Sequence, residues 1–325
     1  MKQATALAHP NIALVKYWGK RDTALNLPAV GSISITLDTL HTKTKVRFDE
    51  TLDSDVFLLD GASNAGETRR VVDCLSLLRE IAGVQTHAEV RSENSFPTGS
   101  GLASSASGFA ALVVAADAAL DLGLDQSRLS ELARRGSGSA ARSVLGGFVE
   151  LHHGEWEDGA DCIATSLLDA AEWPLAVTVG VISRKAKKVG STAGMELTRE
   201  TSSYYSAWVD GAEADLLAAR VAIVERDFQK LADVSELSCL KMHALAMSSQ
   251  PGLMYWHGAT VEGIHRIRQL RRGGHAVFFT IDAGPQLKVI STPEAVATVT
   301  DALSDISGVQ DVLLTGLGEG ARVVD

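Results

Sequence analysis

The feature that most constrains this chain is a Gly- and Ser-rich stretch, residues 97–107, that opens directly into a long apolar segment, residues 108–122. Glycines let a backbone approach an anion closely, and serines offer hydroxyls to phosphate oxygens or Mg²⁺. The positive end of the helix dipole would lie at the same place. The stretch therefore predicts a phosphate-binding loop, and the alternative is the Ser-capped start of an ordinary core helix.

Composition narrows the class of protein. A length of 325 residues allows two domains. Forty acidic against thirty basic residues argue against a diffuse nucleic-acid-binding face, but leave room for a local basic pocket that holds a small anion. The three cysteines, Cys74, Cys162 and Cys239, are far apart, as in proteins of a reducing compartment. The longest apolar run falls short of the roughly 18–20 residues that a membrane helix needs. With no signal peptide recognisable, we expect a cytoplasmic protein.

Hydrophobic periodicity divides the chain into a strand-rich first part and a helix-rich second part. Residues 32–37 and 42–48 alternate polar and apolar side chains, as strands do, whereas helical spacing dominates from about 204 to 247. Strands and helices do not alternate regularly, so the pattern predicts an α+β fold in two lobes. We place the predicted boundary after residue 182.

A second Gly- and Ser-rich segment, residues 136–143, carries an arginine among small neighbours. If a helix begins near Ser137, then Ser139 and Arg142 share one face, where the arginine could hold a carboxylate with two hydrogen bonds. The alternative is a surface arginine after a turn. The small Gly and Ala neighbours favour a backbone held close to a ligand.

Asp282 ends an apolar strand that the sequence predicts over residues 275–281. A carboxylate at the end of a buried strand can face a cleft, be partly desolvated and act on a substrate hydroxyl. The alternative is a turn residue that hydrogen-bonds its own backbone, which is common for Asp close to Gly. The residues alone give the two readings equal weight.

Positive charge is concentrated in two short segments of this acidic chain, residues 16–21 and 184–188. The first follows an apolar run, residues 11–15, that predicts a buried strand. We therefore expect Lys16 to be partly covered and to have an anionic partner. The second precedes residues 190–194, whose composition suits anion binding. Solvated loops are the usual alternative for such lysine runs.

Together these segments resemble a known family. Residues 97–107 are similar to the phosphate loop of the GHMP kinases (galactose, homoserine, mevalonate and phosphomevalonate kinases). Within that superfamily, blocks spread over nearly the whole chain resemble the mevalonate diphosphate decarboxylases in order and spacing. They are NIALVKYWGKRD (11–22), NSFPTGSGLASSASG (94–108), RRGSGSAARS (134–143) with GGF (146–148), GSTAGM (190–195) and FTIDAGP (279–285).

The resemblance implies a two-lobed GHMP-kinase-type α+β fold with a deep cleft between an ATP-binding lobe, 1–182, and a second lobe, 183–325, usually as a homodimer. It also implies a carboxy-lyase of the mevalonate pathway of isoprenoid biosynthesis. ATP would phosphorylate the tertiary 3-hydroxyl of mevalonate 5-diphosphate. Loss of that phosphate together with CO₂ would then give isopentenyl diphosphate, ADP and phosphate.

The resemblance further implies a role for each matching residue. Asp282 would orient and deprotonate the 3-hydroxyl, and Arg142 would hold the substrate carboxylate with Asn11 and Ser139. Lys16, the third catalytic residue, would also contact the substrate diphosphate, together with Tyr17, Lys187 and Ser191. The loop would bind the phosphates of ATP, and Ser105 would also bind Mg²⁺; the loop residues are Pro97, Gly99, Ser100, Gly101, Leu102, Ala103, Ser104 and Ser105.

Two residues depart from the family pattern. Ser100 replaces a frequent alanine, and Thr192 stands where some bacterial relatives carry an arginine beside the diphosphate. With one cation fewer, mevalonate 5-phosphate is the alternative substrate. A mevalonate 3-kinase that releases no CO₂ is disfavoured because such relatives generally lack the Asp, Arg and Lys set. A catalytically silent binding protein is disfavoured because Asp282 and the phosphate loop are intact.

Overall fold

The structure is a computed structural model that describes residues 2–96, 104–185 and 187–324. Part of the predicted phosphate loop lies outside the described residues, namely Pro97, Gly99, Ser100, Gly101, Leu102 and Ala103. Within the described residues, no helix has both the length and the apolar character that crossing a membrane requires.

Strands predominate before residue 182 and helices after it, as the periodicity predicts. The strands are β1 (Lys2–Ala8), β2 (Asn11–Val15), β3 (Lys20–Asp22), β4 (Leu27–Pro28), β5 (Ser32–Thr36), β6 (Thr42–Phe48), β7 (Val56–Leu59), β8 (Ala88–Asn94), β9 (Phe148–Leu151), β10 (Ala164–Leu168), β11 (Ala176–Val181), β12 (Val277–Thr280), β13 (Leu287–Ser291), β14 (Asp311–Gly316) and β15 (Arg322–Val324). The helices are α1 (Ala65–Ala82), α2 (Ser104–Leu120), α3 (Gln126–Gly136), α4 (Ala140–Ser143), α5 (Ser191–Thr201), α6 (Tyr205–Val224), α7 (Phe228–Met247), α8 (Gly258–Arg272) and α9 (Val296–Ser304).

Helix α2 packs on a five-stranded sheet of order β15-β1-β6-β8-β7. Strand β6 alternates as predicted, because Thr44 and Val46 are buried while Lys43 and Lys45 are exposed. Most residues of α2 are buried, as expected of a helix that is apolar on nearly all sides. The sheet therefore fixes the start of α2, where the predicted phosphate loop ends.

Two further sheets, β10-β9-β5-β2 and β12-β13-β11-β14, share one hydrophobic core. Ile12 and Ile33 of the first sheet and Val177 and Ile290 of the second belong to the same buried cluster, which α6 and α7 complete. Strands β2 and β12 both end beside this core. The segments that follow them in the chain are therefore brought together, although they are far apart in sequence.

The long helical pattern predicted over residues 204–247 forms two helices, α6 and α7. They are separated by a short turn in which Arg226 has a left-handed backbone, with φ of 55°. The Asp227 side chain then accepts a hydrogen bond from the Lys230 backbone N–H and caps the start of α7. Helix α7 runs from there beneath β2 and β12, which carry the candidate site.

The division of the chain into lobes follows the sheets. Strand β11, which the predicted boundary after residue 182 assigns to the first lobe, is hydrogen-bonded to β13 and β14. This pairing favours a boundary before residue 176. At the other end, β15 returns to pair with β1, so the C-terminal strand completes the first sheet.

Candidate active site

One open cleft of about 830 Å³ collects the predicted site residues. Every predicted site residue within the described ranges lines it: Asn11, Lys16, Tyr17, Ser104, Ser105, Ser139, Arg142, Lys187, Ser191 and Asp282. The cleft therefore joins the start of α2, the ends of β2 and β12, helix α4 and the start of α5.

The carboxylate of Asp282 is held between two lysines. Lys16 Nζ donates to Oδ1 at 2.6 Å and to the carbonyl oxygen of Ala13 at 2.8 Å, while Lys288 Nζ lies 3.1 Å from Oδ2. Both lysine side chains are 1% exposed, whereas the carboxylate is 27% exposed. The side chain of Asp282 is thus bonded to lysines rather than to its own turn, and the predicted anionic partner of Lys16 is confirmed.

Electrostatics keep this carboxylate charged. Burial alone would raise the pKa of Asp282, but the nearby ammonium groups of Lys16 and Lys288 outweigh it and hold the pKa below its usual range. An acidic side chain that is ionised, partly covered and open to a cleft can accept a hydrogen bond from a substrate hydroxyl.

Arg142 lies in the short helix α4 and is 1% exposed. Its guanidinium donates to Ser34 Oγ at 2.9 Å, to Ser32 Oγ at 2.5 Å and to Asn11 Oδ1 at 3.2 Å. Burial lowers the pKa of Arg142 to about 10, so the group stays charged at neutral pH. Within residues 2–96, 104–185 and 187–324 it forms no ion pair. A buried guanidinium with neutral partners is suited to an anionic ligand.

The predicted helix start near Ser137 is wrong, although Ser139 and Arg142, which it was meant to align, both line the cleft. Ser137 is extended and ends α3, and α4 begins only at Ala140. Asn11 joins the predicted pair instead, because its Nδ2 donates to the carbonyl oxygen of Ser139 at 2.9 Å and its Oδ1 accepts from Arg142.

The turn before α4 is shaped by Tyr17. A Cβ at Gly138 would lie 2.4 Å from the Tyr17 hydroxyl oxygen, so a side chain at this position would displace the ring. The hydroxyl is buried without a hydrogen-bond partner in the described structure. Burial raises the pKa of Tyr17, which keeps the phenol neutral and able to donate a hydrogen bond.

Lys187 and Ser191 lie where α5 begins. Lys187 Nζ donates to Ser191 Oγ at 2.8 Å and to the carbonyl oxygen of Ala283 at 3.1 Å. Burial lowers the pKa of Lys187. The lysine therefore connects the start of α5 to the turn that carries Asp282, and it adds a cation to the same cleft.

The start of α2 contributes hydroxyls to the cleft. Ser104 and Ser105 form the first turn of the helix, and Ser137 Oγ lies 3.4 Å from the hydroxyl oxygens of both Ser105 and Ser139. Among the described residues, no group of three or more His, Cys, Asp or Glu side chains could hold a metal ion. These hydroxyls fit a Mg²⁺ ion that is bound mainly through phosphate oxygens, which is the usual mode for Mg²⁺.

Sequence reasoning missed three residues that shape the site: Lys288, Ser32 and Ser34. Ser32 and Ser34 alternate with isoleucines in β5, a pattern that resembles a solvent-facing side, yet both serines are fully buried against Arg142. Lys288 interrupts the otherwise apolar start of β13. A charged residue inside an apolar strand is the signal that could have identified it.

The comparisons with known proteins agree with this geometry. Residues 8–164 match the family described as diphosphomevalonate decarboxylase-like N-terminal domain, and residues 177–320 match the mevalonate 5-diphosphate decarboxylase C-terminal domain. The diphosphomevalonate decarboxylase of Candida albicans is 34% identical over 354 residues, which cover 99% of this chain and 98% of the relative. The chain belongs to the diphosphomevalonate decarboxylase family.

Solved structures of diphosphomevalonate decarboxylases extend the likeness to the whole fold. The Staphylococcus aureus mevalonate diphosphate decarboxylase is 38% identical with a TM-score of 0.93, over 100% of this chain and 98% of that one. A structure described as MDDEF in complex with MVAPP, AMPPCP and magnesium is 39% identical with a TM-score of 0.91, over 99% of both chains. The predicted two-lobed GHMP-kinase-type α+β fold is confirmed.

Proposed function

We propose that Asp282, Arg142 and Lys16 carry the chemistry of the reaction that this family catalyses. As a diphosphomevalonate decarboxylase, the chain uses ATP to convert mevalonate 5-diphosphate into isopentenyl diphosphate, with release of ADP, phosphate and CO₂. The observation that supports this assignment of roles most strongly is the Asp282 carboxylate, ionised between two buried lysines. The same cleft contains a buried arginine that has only neutral partners among the described residues.

Asp282 receives the tertiary 3-hydroxyl of the substrate. Its carboxylate orients the oxygen towards the phosphoryl group and takes the proton. A low pKa makes it a weak base, which suffices because phosphoryl transfer passes through a loose transition state. The hydroxyl then becomes strongly acidic only as its oxygen bonds to phosphorus. Lys16 fixes the carboxylate through Oδ1 and keeps its charge in place.

Arg142 receives the C1 carboxylate. The guanidinium is already oriented by Ser32, Ser34 and Asn11, so little freedom is lost when an anion binds. Ser139 lies beside it through their shared partner Asn11. Together they hold the carboxylate in line with the C3–O bond until CO₂ departs, when the electron pair of the broken C–C bond forms the new double bond and expels the 3-phosphate.

The substrate diphosphate contacts Lys187, Ser191, Tyr17 and Lys16. Lys187 and Ser191 are already hydrogen-bonded to each other, so one cation and one hydroxyl are presented side by side. The unpartnered Tyr17 hydroxyl supplies a further donor. We therefore expect the diphosphate at the end of the cleft where α5 begins.

ATP would bind at the start of α2, with its phosphates near Ser104 and Ser105, which line the cleft. The first-turn N–H groups of a helix favour phosphate at this end. Ser105 would hold Mg²⁺ together with phosphate oxygens, and the ion would neutralise charge on the phosphates.

The assay that tests this function follows ADP and CO₂ together, with purified protein, ATP and either mevalonate 5-diphosphate or mevalonate 5-phosphate. We expect equal amounts of ADP and CO₂ from the diphosphate alone. Release of CO₂ from the monophosphate would show that mevalonate 5-phosphate is a substrate, and ADP without CO₂ would show that the protein is a kinase. The predicted homodimer and cytoplasmic location stay predictions, and light scattering of the purified chain tests the first.

A further inference from the structure

Lys288 is a buried cation that has no role in the proposed reaction. Its side chain is 1% exposed, in a strand whose five residues are all buried. Burial lowers the pKa of Lys288, which reflects the free energy needed to keep an ammonium group in such a place. Methionine or leucine would occupy the same strand position without that desolvation cost.

Asp282 does not need this second lysine to have its charge neutralised in the folded protein. Lys16 already forms the shorter contact, 2.6 Å from Oδ1, and could neutralise the carboxylate alone. Lys288 adds a second cation at 3.1 Å from Oδ2. Strand pairing fixes it there, because Lys288 lies opposite Thr280, two residues before Asp282. Both oxygens of the carboxylate are therefore held, Oδ1 by the lysine that follows β2 and Oδ2 by a lysine of β13.

The charge of the substrates supplies a reason for the second lysine. A filled cleft contains the substrate carboxylate, its diphosphate and the phosphates of ATP. Each of these anions favours the protonated form of Asp282, and a protonated carboxyl could not accept the proton of the 3-hydroxyl. A buried cation outside the cleft lining offsets this effect without competing for substrate. Lys288, unlike Lys16, is absent from the described residues that line the cleft.

We propose that Lys288 is a positioning residue that holds the carboxylate of Asp282 fixed and ionised when the anionic substrates fill the cleft. The inference rests on the proposed role of Asp282. This role of Lys288 is distinct from substrate binding, in which Lys187 and Arg142 contact the substrate anions directly.

Other groups face Asp282 from the elements around it, and none can replace Lys288. Lys16, Lys187 and Arg142 act on its charge from the end of β2, the segment before α5 and α4. From α7, burial lowers the pKa of His243 to about 3 and raises that of the Cys239 thiol to about 11, so both groups are neutral near pH 7. Lys16, Lys187 and Arg142 all line the cleft, where substrate anions will share their charge.

The test measures kcat at saturating ATP and mevalonate 5-diphosphate between about pH 5 and 9, for wild type, Lys288→Met and Lys288→Arg. In the methionine variant the Asp282 carboxyl loses a neighbouring cation and its pKa rises. When the pH is lowered, activity should therefore begin to fall at a higher pH than in wild type. We expect kcat to fall by about 10- to 100-fold at every pH with little change in KM, because the carboxylate is then held through Oδ1 alone. The acid limb should also move up by about one pH unit or more, so that kcat of the variant falls further at the acid end of the range, where wild type changes less. Lys288→Arg keeps the charge and should keep the acid limb at its wild-type pH.

Thermal unfolding separates this role from a purely structural one. Asp282 keeps Lys16 as its countercharge when Lys288 is replaced, so no buried charge is left without a partner, and Lys288→Met should change Tm little while losing activity. Ile290→Val, a packing change on the same strand, should lower Tm slightly and leave the acid limb unchanged. If the methionine variant does not fold, Lys288→Gln takes its place in the same comparison.

The outcomes are distinct. A Lys288→Met enzyme with wild-type kcat and an unshifted acid limb overturns the inference, and so does a loss of activity that merely follows a lower Tm. Absence of ADP and CO₂ from the wild-type enzyme would instead contradict the proposed function itself.

Discussion

At Asp282 a negative charge is held between two lysines, whereas at Arg142 a positive charge is buried among neutral hydroxyl and amide groups. Both charges line the same cleft. The carboxylate has its countercharge within the protein and is suited to a neutral substrate group, the 3-hydroxyl. The guanidinium has neutral partners and is suited to an anionic group, the C1 carboxylate. Whether a charged side chain has a countercharge in the protein thus indicates which part of the substrate it binds.

The largest effect is expected at the paired charge. Asp282→Ala should lose more than roughly 10³-fold in kcat, as expected for a positioned base, while substrate binding is retained. Steady-state kinetics and calorimetric binding of mevalonate 5-diphosphate check the two halves of this prediction. Near wild-type turnover would contradict a role for Asp282 as the base.

The unpaired charge should respond differently. Arg142→Lys keeps the charge but loses the planar group that Ser32, Ser34 and Asn11 orient, so we expect kcat/KM for mevalonate 5-diphosphate to fall by about 10²-fold. Much of this loss should appear in KM, in contrast to Asp282→Ala. A variant with unchanged KM and a low kcat would contradict a role in holding the carboxylate.

The diphosphate end of the cleft should show a smaller effect on binding alone. Lys187→Met removes a cation and should raise KM for the substrate by about 10-fold. Ser191→Ala should add little in the double variant, because the two side chains are hydrogen-bonded to each other. Full additivity of the two changes would argue that they bind separate groups.

The smallest effect concerns the turn before α4. Gly138→Ala places a Cβ 2.4 Å from the Tyr17 hydroxyl oxygen, and we expect a loss of about 1–3 kcal/mol in the free energy of unfolding together with a modest rise in KM. The ring carbons Cζ and Cε1 of Tyr17 would lie 2.6 and 3.0 Å from the same Cβ, so the whole ring must be removed, and Tyr17→Ala should partly restore stability in the double variant. Denaturant unfolding checks this, and an unchanged stability of Gly138→Ala would show that the turn adjusts freely.

The sequence predicts what is local to one strand or helix better than what two distant segments form together. The apolar run before Lys16 correctly predicts β2, the burial of the lysine and the existence of an anionic partner. Lys16 and its partner Asp282 are 266 residues apart along the chain. The identity of the partner therefore depends on how β2 and β12 pack over a shared core. Only the family resemblance, not periodicity, placed both residues in one site.

The remaining errors have physical reasons of the same kind. The alternation of Ser32 and Ser34 with apolar residues correctly predicts a strand, but it cannot tell a solvent-facing side from one that faces a buried arginine. The misplaced helix start at Ser137 arises because α3 ends there in extended backbone, beside a glycine that Tyr17 requires. Lys288 was missed because its contact with Asp282 depends on the pairing of β13 with β12, which the sequence pattern does not show.

The most direct test of the separate roles of Asp282 and Arg142 is a comparison of binding affinities. Dissociation constants are measured for mevalonate 5-diphosphate and for an analogue whose C1 carboxylate is replaced by a neutral amide, with wild type, Arg142→Gln and Asp282→Ala. We expect wild type and Asp282→Ala to bind the analogue about 10- to 100-fold more weakly than the substrate, and Arg142→Gln to bind both alike. If Arg142→Gln discriminates as strongly as wild type, the carboxylate is held elsewhere and the account of the cleft is wrong.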